Sequence, residues 1–259
     1  MMRGLMVAAI VLGAADAAAY VRSITPEAGA PMEWNTRVIH YCINENGSDD
    51  MDFDTLVEQV DGSFYAWADY ACAPIEFVYD GPTADGADPQ EDIGYDDKNI
   101  VVFREDRDLW SFDSDVIAVT TVSFCEGVGG ACDLAGEILD ADIEVNGFNF
   151  RFSTSDIAPR TRFDLRNTLT HEVGHLIGFD HTPVADATMF ASAPPGETSK
   201  RSLHVDDEDA LCDVYETIYD ERNPGGGNEP LCAARPGAPM SGGGWLLLGL
   251  GVLALRRRR

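Results

Sequence analysis

Basic residues are scarce in this sequence: 18 Lys and Arg stand against 45 Asp and Glu in 259 residues, a formal net charge of -27. That deficit excludes a protein that grips a phosphate backbone, which needs clustered cations, so no nucleic-acid partner is expected. Long apolar runs are also missing. The two that occur lie at the ends of the chain, and each is shorter than the roughly 20 residues a membrane-spanning helix needs. There is no internal repeat, and no acidic stretch has the ligand spacing of an EF-hand. Apolar and aromatic side chains, by contrast, make up 45% of the chain, which excludes a disordered protein. The length suffices for one good-sized domain with tails. An acid excess of this size suits an exported soluble protein, or one that holds cations such as calcium.

The two ends read as addresses. Arg3, the apolar run from Gly4 and the Ala17-Ala18-Ala19 cleavage site make residues 1–19 a signal peptide, cut before Tyr20. At the other end, Pro224 and the glycines after it open a Gly/Pro-rich linker over residues 221–239. Residues 240–259 follow as an apolar segment closed by Arg256, Arg257, Arg258 and Arg259. Sixteen residues at helical rise reach only ~24 Å, marginal for a ~30 Å hydrocarbon core. With Cys232 and the small-residue spacer, this end resembles myxobacterial-type sorting tails. The resemblance implies transient membrane contact, removal of the tail and delivery to the cell surface; a plain tail anchor is the other reading of residues 240–259. Without both ends, residues 20–239 keep 13 of 18 basic and 44 of 45 acidic residues, so the body is near -31.

Export permits disulfides among the six cysteines. Cys125 and Cys132 flank a glycine-rich loop and are expected to staple it. Of the fifteen full pairings, which spacing alone does not choose between, Cys42 with Cys72 would tie the first strand to the first helix and Cys212 with Cys232 would pin the last helix to the linker, unless Cys232 serves the C-terminal tail. Residues 36–43 read as a strand rich in β-branched and aromatic side chains. Phe53, Leu56, Val60, Phe64, Trp67 and Ala71 recur at helical spacing for about five turns, until Pro74 bars continuation. Further strands are expected over 75–79, 99–103, 116–122 and 137–145, with an acidic surface loop over 80–97. A second helix over 164–177 carries Leu165, Leu169, Val173 and Leu176 on one side, and Gly178 ends it. A third begins near Asp206, where Asp206, Asp207, Glu208 and Asp209 face the positive end of the helix dipole. Strands followed by two late helices give one α+β domain over residues 20–220.

Chemistry concentrates in His171-Glu172-Val173-Gly174-His175-Leu176-Ile177-Gly178-Phe179-Asp180-His181. Four helical residues advance a side chain by about 400°, so His171 and His175 leave the same face one turn apart. Two imidazoles so placed can share one zinc ion. Gly178 lets the chain reverse, so that His181 returns as a third ligand. Three ligands leave a fourth position open, the arrangement of a catalytic zinc site. Glu172, beside the first ligand, is placed to act as general base and then acid for a water attacking a peptide carbonyl. A bare HExxH is weak evidence; the extended motif is strong.

With Met189 eight residues further on, this stretch resembles the matrixin branch of the metzincin zinc endopeptidases. Residues 140–146 are similar to that family's strand before the active-site helix, and 203–215 to its closing helix. The resemblance implies a zincin-like metzincin catalytic domain, with a twisted five-stranded mixed sheet and three helices. It implies His171, His175 and His181 as zinc ligands, Glu172 as catalytic base, and Met189 as the Met-turn beneath the metal. It also implies an edge strand that pairs with an extended protein or peptide substrate, and an S1′ pocket shaped by Phe190 and the segment to Lys200. Structural calcium is a further cation in this expectation, with no residues assigned. Two features depart from the family: no Pro-Arg-Cys-Gly latency switch occurs, and no second histidine cluster could hold a structural zinc. Two rivals remain open. One is a zinc-bound surface module without turnover, which has no need of Glu172; the other is a calcium-dependent adhesion domain, which a zinc-specific chelator would not disturb.

Overall fold

The computed structural model describes residues 19–68, 70–87, 96–130 and 132–216, and the backbone of 248–254. The expected signal peptide (bar Ala19), the 221–239 linker and the rest of the C-terminal segment lie outside the described residues.

Five strands form the body of the sheet: β3 (Val38–Asn44), β4 (Glu76–Thr83), β5 (Ile100–Phe103), β6 (Val116–Phe124) and β7 (Glu137–Val145). Their order is β6-β7-β5-β3-β4, parallel throughout except for the antiparallel β6–β7 pair. The short strand β2 (Glu33–Trp34) adds in parallel to β7. The backbone of β11 (Leu248–Ala254) pairs antiparallel along β6, from Leu248 opposite Ser123 to Ala254 opposite Val116. Thus seven residues of the C-terminal apolar run are strand, and they cover the outer side of β6. No helix among the described residues is long and apolar enough to cross a membrane. Three two-residue strands, β8 (Phe152–Ser153), β9 (Phe163–Asp164) and β10 (Phe179–Asp180), lie around the second helix; β10 pairs with the N-terminal β1 (Val21–Arg22).

The alternation in β7 shows how the sheet is built. Ala141, Ile143 and Val145 enter the core, while Asp140, Asp142 and Glu144 project from the other face. Against the core-facing side chains pack Leu56, Val60 and Phe64 of helix α1 (Phe53–Tyr65) and Leu165, Leu169, Val173 and Leu176 of helix α2 (Leu165–Leu176). Helix α3 (Val205–Tyr215) adds Leu211, Val214 and Tyr215.

Three expectations need correction. Helix α1 stops at Tyr65, short of the five turns its spacing suggested; Trp67 is nonetheless fully buried, its indole donating to Thr170 O at 2.7 Å. Strand β4 runs on through Gly81 and Pro82, where a surface loop was expected. It is an edge strand, where a proline costs no ladder bond, and Asp80 is held by His40 Nδ1 at 2.9 Å. Cysteine pairing differs most. The Cys125–Cys132 staple is present, but Cys72 joins Cys212, across 140 residues. That bond replaces both the Cys42–Cys72 and the Cys212–Cys232 pairings; Cys42 is disulfide-bonded as well. The turn after α1 and helix α3 are neighbours in space, which local spacing cannot reveal.

Candidate metal centre

Asp164 starts α2: its carboxylate accepts the Asn167 N–H at 2.9 Å, satisfying a free donor of the first turn. At the other end Gly178 has φ +89°, and a Cβ there would come within 2.4 Å of Met32 O. Only glycine both takes the left-handed turn and admits that carbonyl. The helix end is then held by Trp34 Nε1 on Leu176 O (2.9 Å) and the Tyr215 hydroxyl on Ile177 O (2.8 Å). The chain turns back through β10 and delivers His181.

His171, His175 and His181 are brought together as the sequence predicts. Their three Nε2 atoms form a triangle with every side 3.2 Å. His171 Nδ1 lies 2.6 Å from Thr188 O and His175 Nδ1 2.7 Å from Phe179 O. A carbonyl only accepts, so each of these Nδ1 atoms carries the proton and each Nε2 presents a lone pair. Burial drives the His171 pKa far down, takes that of His175 to about 3 and lowers that of His181. Facing lone pairs at this distance repel unless a cation lies between them. Nitrogen donors ~2.0–2.1 Å from a tetrahedral metal are ~3.3 Å apart, so three neutral imidazoles at this spacing suit zinc in both donor type and size.

Glu172 is fully buried beside the cluster. Its Oε2 accepts the Thr120 hydroxyl of β6 at 2.7 Å, while Oε1 is buried without a hydrogen-bond partner. Burial raises its pKa to about 8; the Thr120 bond and the charge of Lys200 pull the other way.

Met189 is placed beneath the histidine-bearing helix. A Cβ on Gly174 would stand 2.1 Å from Met189 Sδ and 2.8 Å from the Trp67 ring, so the glycine inside the motif exists to admit the thioether. Asp207 secures the loop before Met189: its carboxylate accepts the N–H groups of Thr188 (2.7 Å), Met189 (3.0 Å) and His204 (2.9 Å). Asp206 takes the Thr182 hydroxyl at 2.9 Å. Sequence reasoning placed both aspartates at the helix dipole and missed the site they support; it also missed Thr120, Thr188 and Gly174. Their contacts are long-range, and only Gly174 stood inside the motif. His40 pairs with Asp80, and His204 caps α3 by accepting the Asp206 N–H at 3.1 Å.

A mixed sheet lined by a helix that carries paired imidazoles, a reversal at glycine and a methionine floor define a metal-site α+β domain of metzincin build. Residues 33–216 match the family model described as Matrixin, and the chain belongs to that family, whose members are in general zinc-dependent. It is similar to Metalloendoproteinase 1 of Glycine max, 32% identical over 93 residues, which are 35% of this chain and 30% of that protein. It is also similar to Metalloendoproteinase 5-MMP of Arabidopsis thaliana, 33% identical over 92 residues, or 36% of this chain and 25% of that one. The chain therefore spans less than a third of the length of either relative.

Proposed function

We propose that this chain is a zinc-dependent endopeptidase, exported and sorted to the cell surface, that hydrolyses peptide bonds in proteins. The observation that carries this reading is the meeting of three Nε2 lone pairs with a buried glutamate whose Oε1 has no partner of its own. His171, His175 and His181 would hold the metal. Bound there, zinc would polarise a peptide carbonyl and make a water nucleophilic at neutral pH.

The rest is done by the chain. Thr120 fixes one oxygen of Glu172, leaving Oε1 to accept the proton of the attacking water and carry it to the departing amine. Burial raises the affinity of that carboxylate for a proton, which favours the first transfer, from water. Thr188 O and Phe179 O keep two imidazoles in one tautomer and orientation. Met189 and Trp67 exclude water from below. In this reading residues 240–259 are the sorting segment, which contacts the membrane transiently and is then removed. Its departure frees the outer side of β6 for an extended substrate.

The test is casein hydrolysis by the chain, with and without residues 240–259, beside Glu172→Ala at matched zinc content. Parent cleavage with a loss of at least about a hundredfold in the variant is expected. Bound zinc with no cleavage by any form, on casein or on a peptide library, would replace the enzyme with a zinc-bearing binding module.

A further inference from the structure

One buried charge near the histidines takes no part in that chemistry. Lys200, on the 3-10 turn Ser199–Arg201, is 2% exposed. Its backbone N–H donates to Asn167 Oδ1 at 2.8 Å. Asn167 lies one turn before His171, on the α2 face that carries His171 and His175, so the turn is docked along the line of the metal cluster. The ammonium donates to Phe190 O, one residue past Met189, and lies 5.9 Å from the centre of the Phe190 ring. Of the charges acting on His171, that of Lys200 is the largest, and it also reaches Glu172 and His175.

No carboxylate among the described residues comes within ion-pair distance of this ammonium; Glu197, Asp207 and Glu172 act on it only from further away. A buried cation with one neutral acceptor is costly, and a folded protein normally neutralises such a group. Lys200 is also one of only two lysines in the sequence. Phe190, whose carbonyl it holds, and the next two residues, Ala191 and Ser192, are only partly buried, so the ammonium lies against a segment that reaches solvent.

We propose that Lys200 is a specificity-determining residue, whose ammonium receives the carboxylate of an Asp or Glu side chain on the substrate residue that follows the scissile bond. The proposal rests on the endopeptidase reading, with the segment from Phe190 to Lys200 as the wall of the pocket after the scissile bond, and names the substrate class for that site. The carboxylate replaces the absent counter-charge, while the neutral isostere Gln leaves the ammonium as it was. Selection of this kind discriminates strongly, because the site's own unmet need is the penalty for the wrong substrate.

The full-length protein is tested on internally quenched peptides with amidated C-termini, alike except for Glu, Gln or Leu after the scissile bond. A further pair carries Glu or Gln before the bond, and another ends at the residue after it with a free carboxylate. The expected result is a Glu-over-Gln preference in kcat/KM of roughly tenfold to a hundredfold after the bond and none before it. In Lys200→Met and Lys200→Gln that ratio falls to about one. Comparing ratios within each variant cancels any general loss from misfolding. A free terminal carboxylate preferred over the side chain would overturn the side-chain assignment in favour of a C-terminal one.

The same peptides are titrated against Glu172→Ala, where affinity rather than cleavage is read, and the Glu preference is expected there too. Equal handling of Glu and Gln by an active parent would sink the proposal and leave the endopeptidase intact. Tight Glu-selective binding with no cleavage by the parent would do the reverse.

Discussion

Arg104 and Lys200 are both buried cations, 0% and 2% exposed, and they sit in opposite surroundings. Arg104 Nε meets Glu144 Oε2 at 2.6 Å, and its Nη1 donates to Gly86 O at 2.5 Å. Glu144 shows the reciprocal effect: burial raises its pKa and Arg104 draws it back down. Lys200 has a carbonyl and no carboxylate. The first cation is neutralised by the fold and ties the sheet's outer face to the segment before β5. The second remains unneutralised beside the histidine cluster. A buried charge that the protein itself satisfies is architecture; one that it leaves unsatisfied is an opening for something else.

Substitution should drive the two sites in opposite directions. Arg104→Met strands Glu144 and is expected to cost about 3–5 kcal/mol of stability in urea unfolding. A smaller loss would mean that Glu144 is accommodated by protonation and that the two sites differ less than their contacts suggest. Lys200→Met removes an unmatched charge and is expected to gain roughly 1–3 kcal/mol at pH 7 by the same measurement. Destabilisation instead would show that the ammonium anchors Phe190 and has a structural task.

The smallest effect is in pH dependence. Burial lowers the Lys200 pKa from 10.5 to about 8. Between those values the unfolded chain binds more protons than the folded one, so this group's contribution rises with pH over that window. Its penalty is present in full below about pH 8 and is relieved towards 10.5. Parent minus Lys200→Met should therefore close between pH 8 and 10.5, and a constant difference would place the lysine in contact with solvent.

What the sequence made legible was whatever depends on nearby residues. The extent of β7, the stop of α2, the three imidazoles and Gly178 all follow from spacing within a dozen residues. Lys200 was read as the limit of a pocket-shaping segment, but its missing counter-charge could not be, because that fact concerns what is not near it in space. Thr120 meets Glu172 across 52 residues, and Asp207 reaches Thr188 and Met189 from the next helix. Gly81 and Pro82 look like turn residues in the sequence, yet at a sheet edge they do not interrupt the pairing of β4. The Cys72–Cys212 bond follows from tertiary proximity alone.

Asp207 and that disulfide also bear on how the protein is made. A chain synthesised only as far as Met189 already contains every imidazole of the cluster, and Glu172. It still lacks the carboxylate that holds the loop before Met189, the hydroxyl of Tyr215 on Ile177 O, and the cysteine that joins α3 to Cys72. The floor of the histidine cluster is thus finished by α3, the last helix to be synthesised among the described residues.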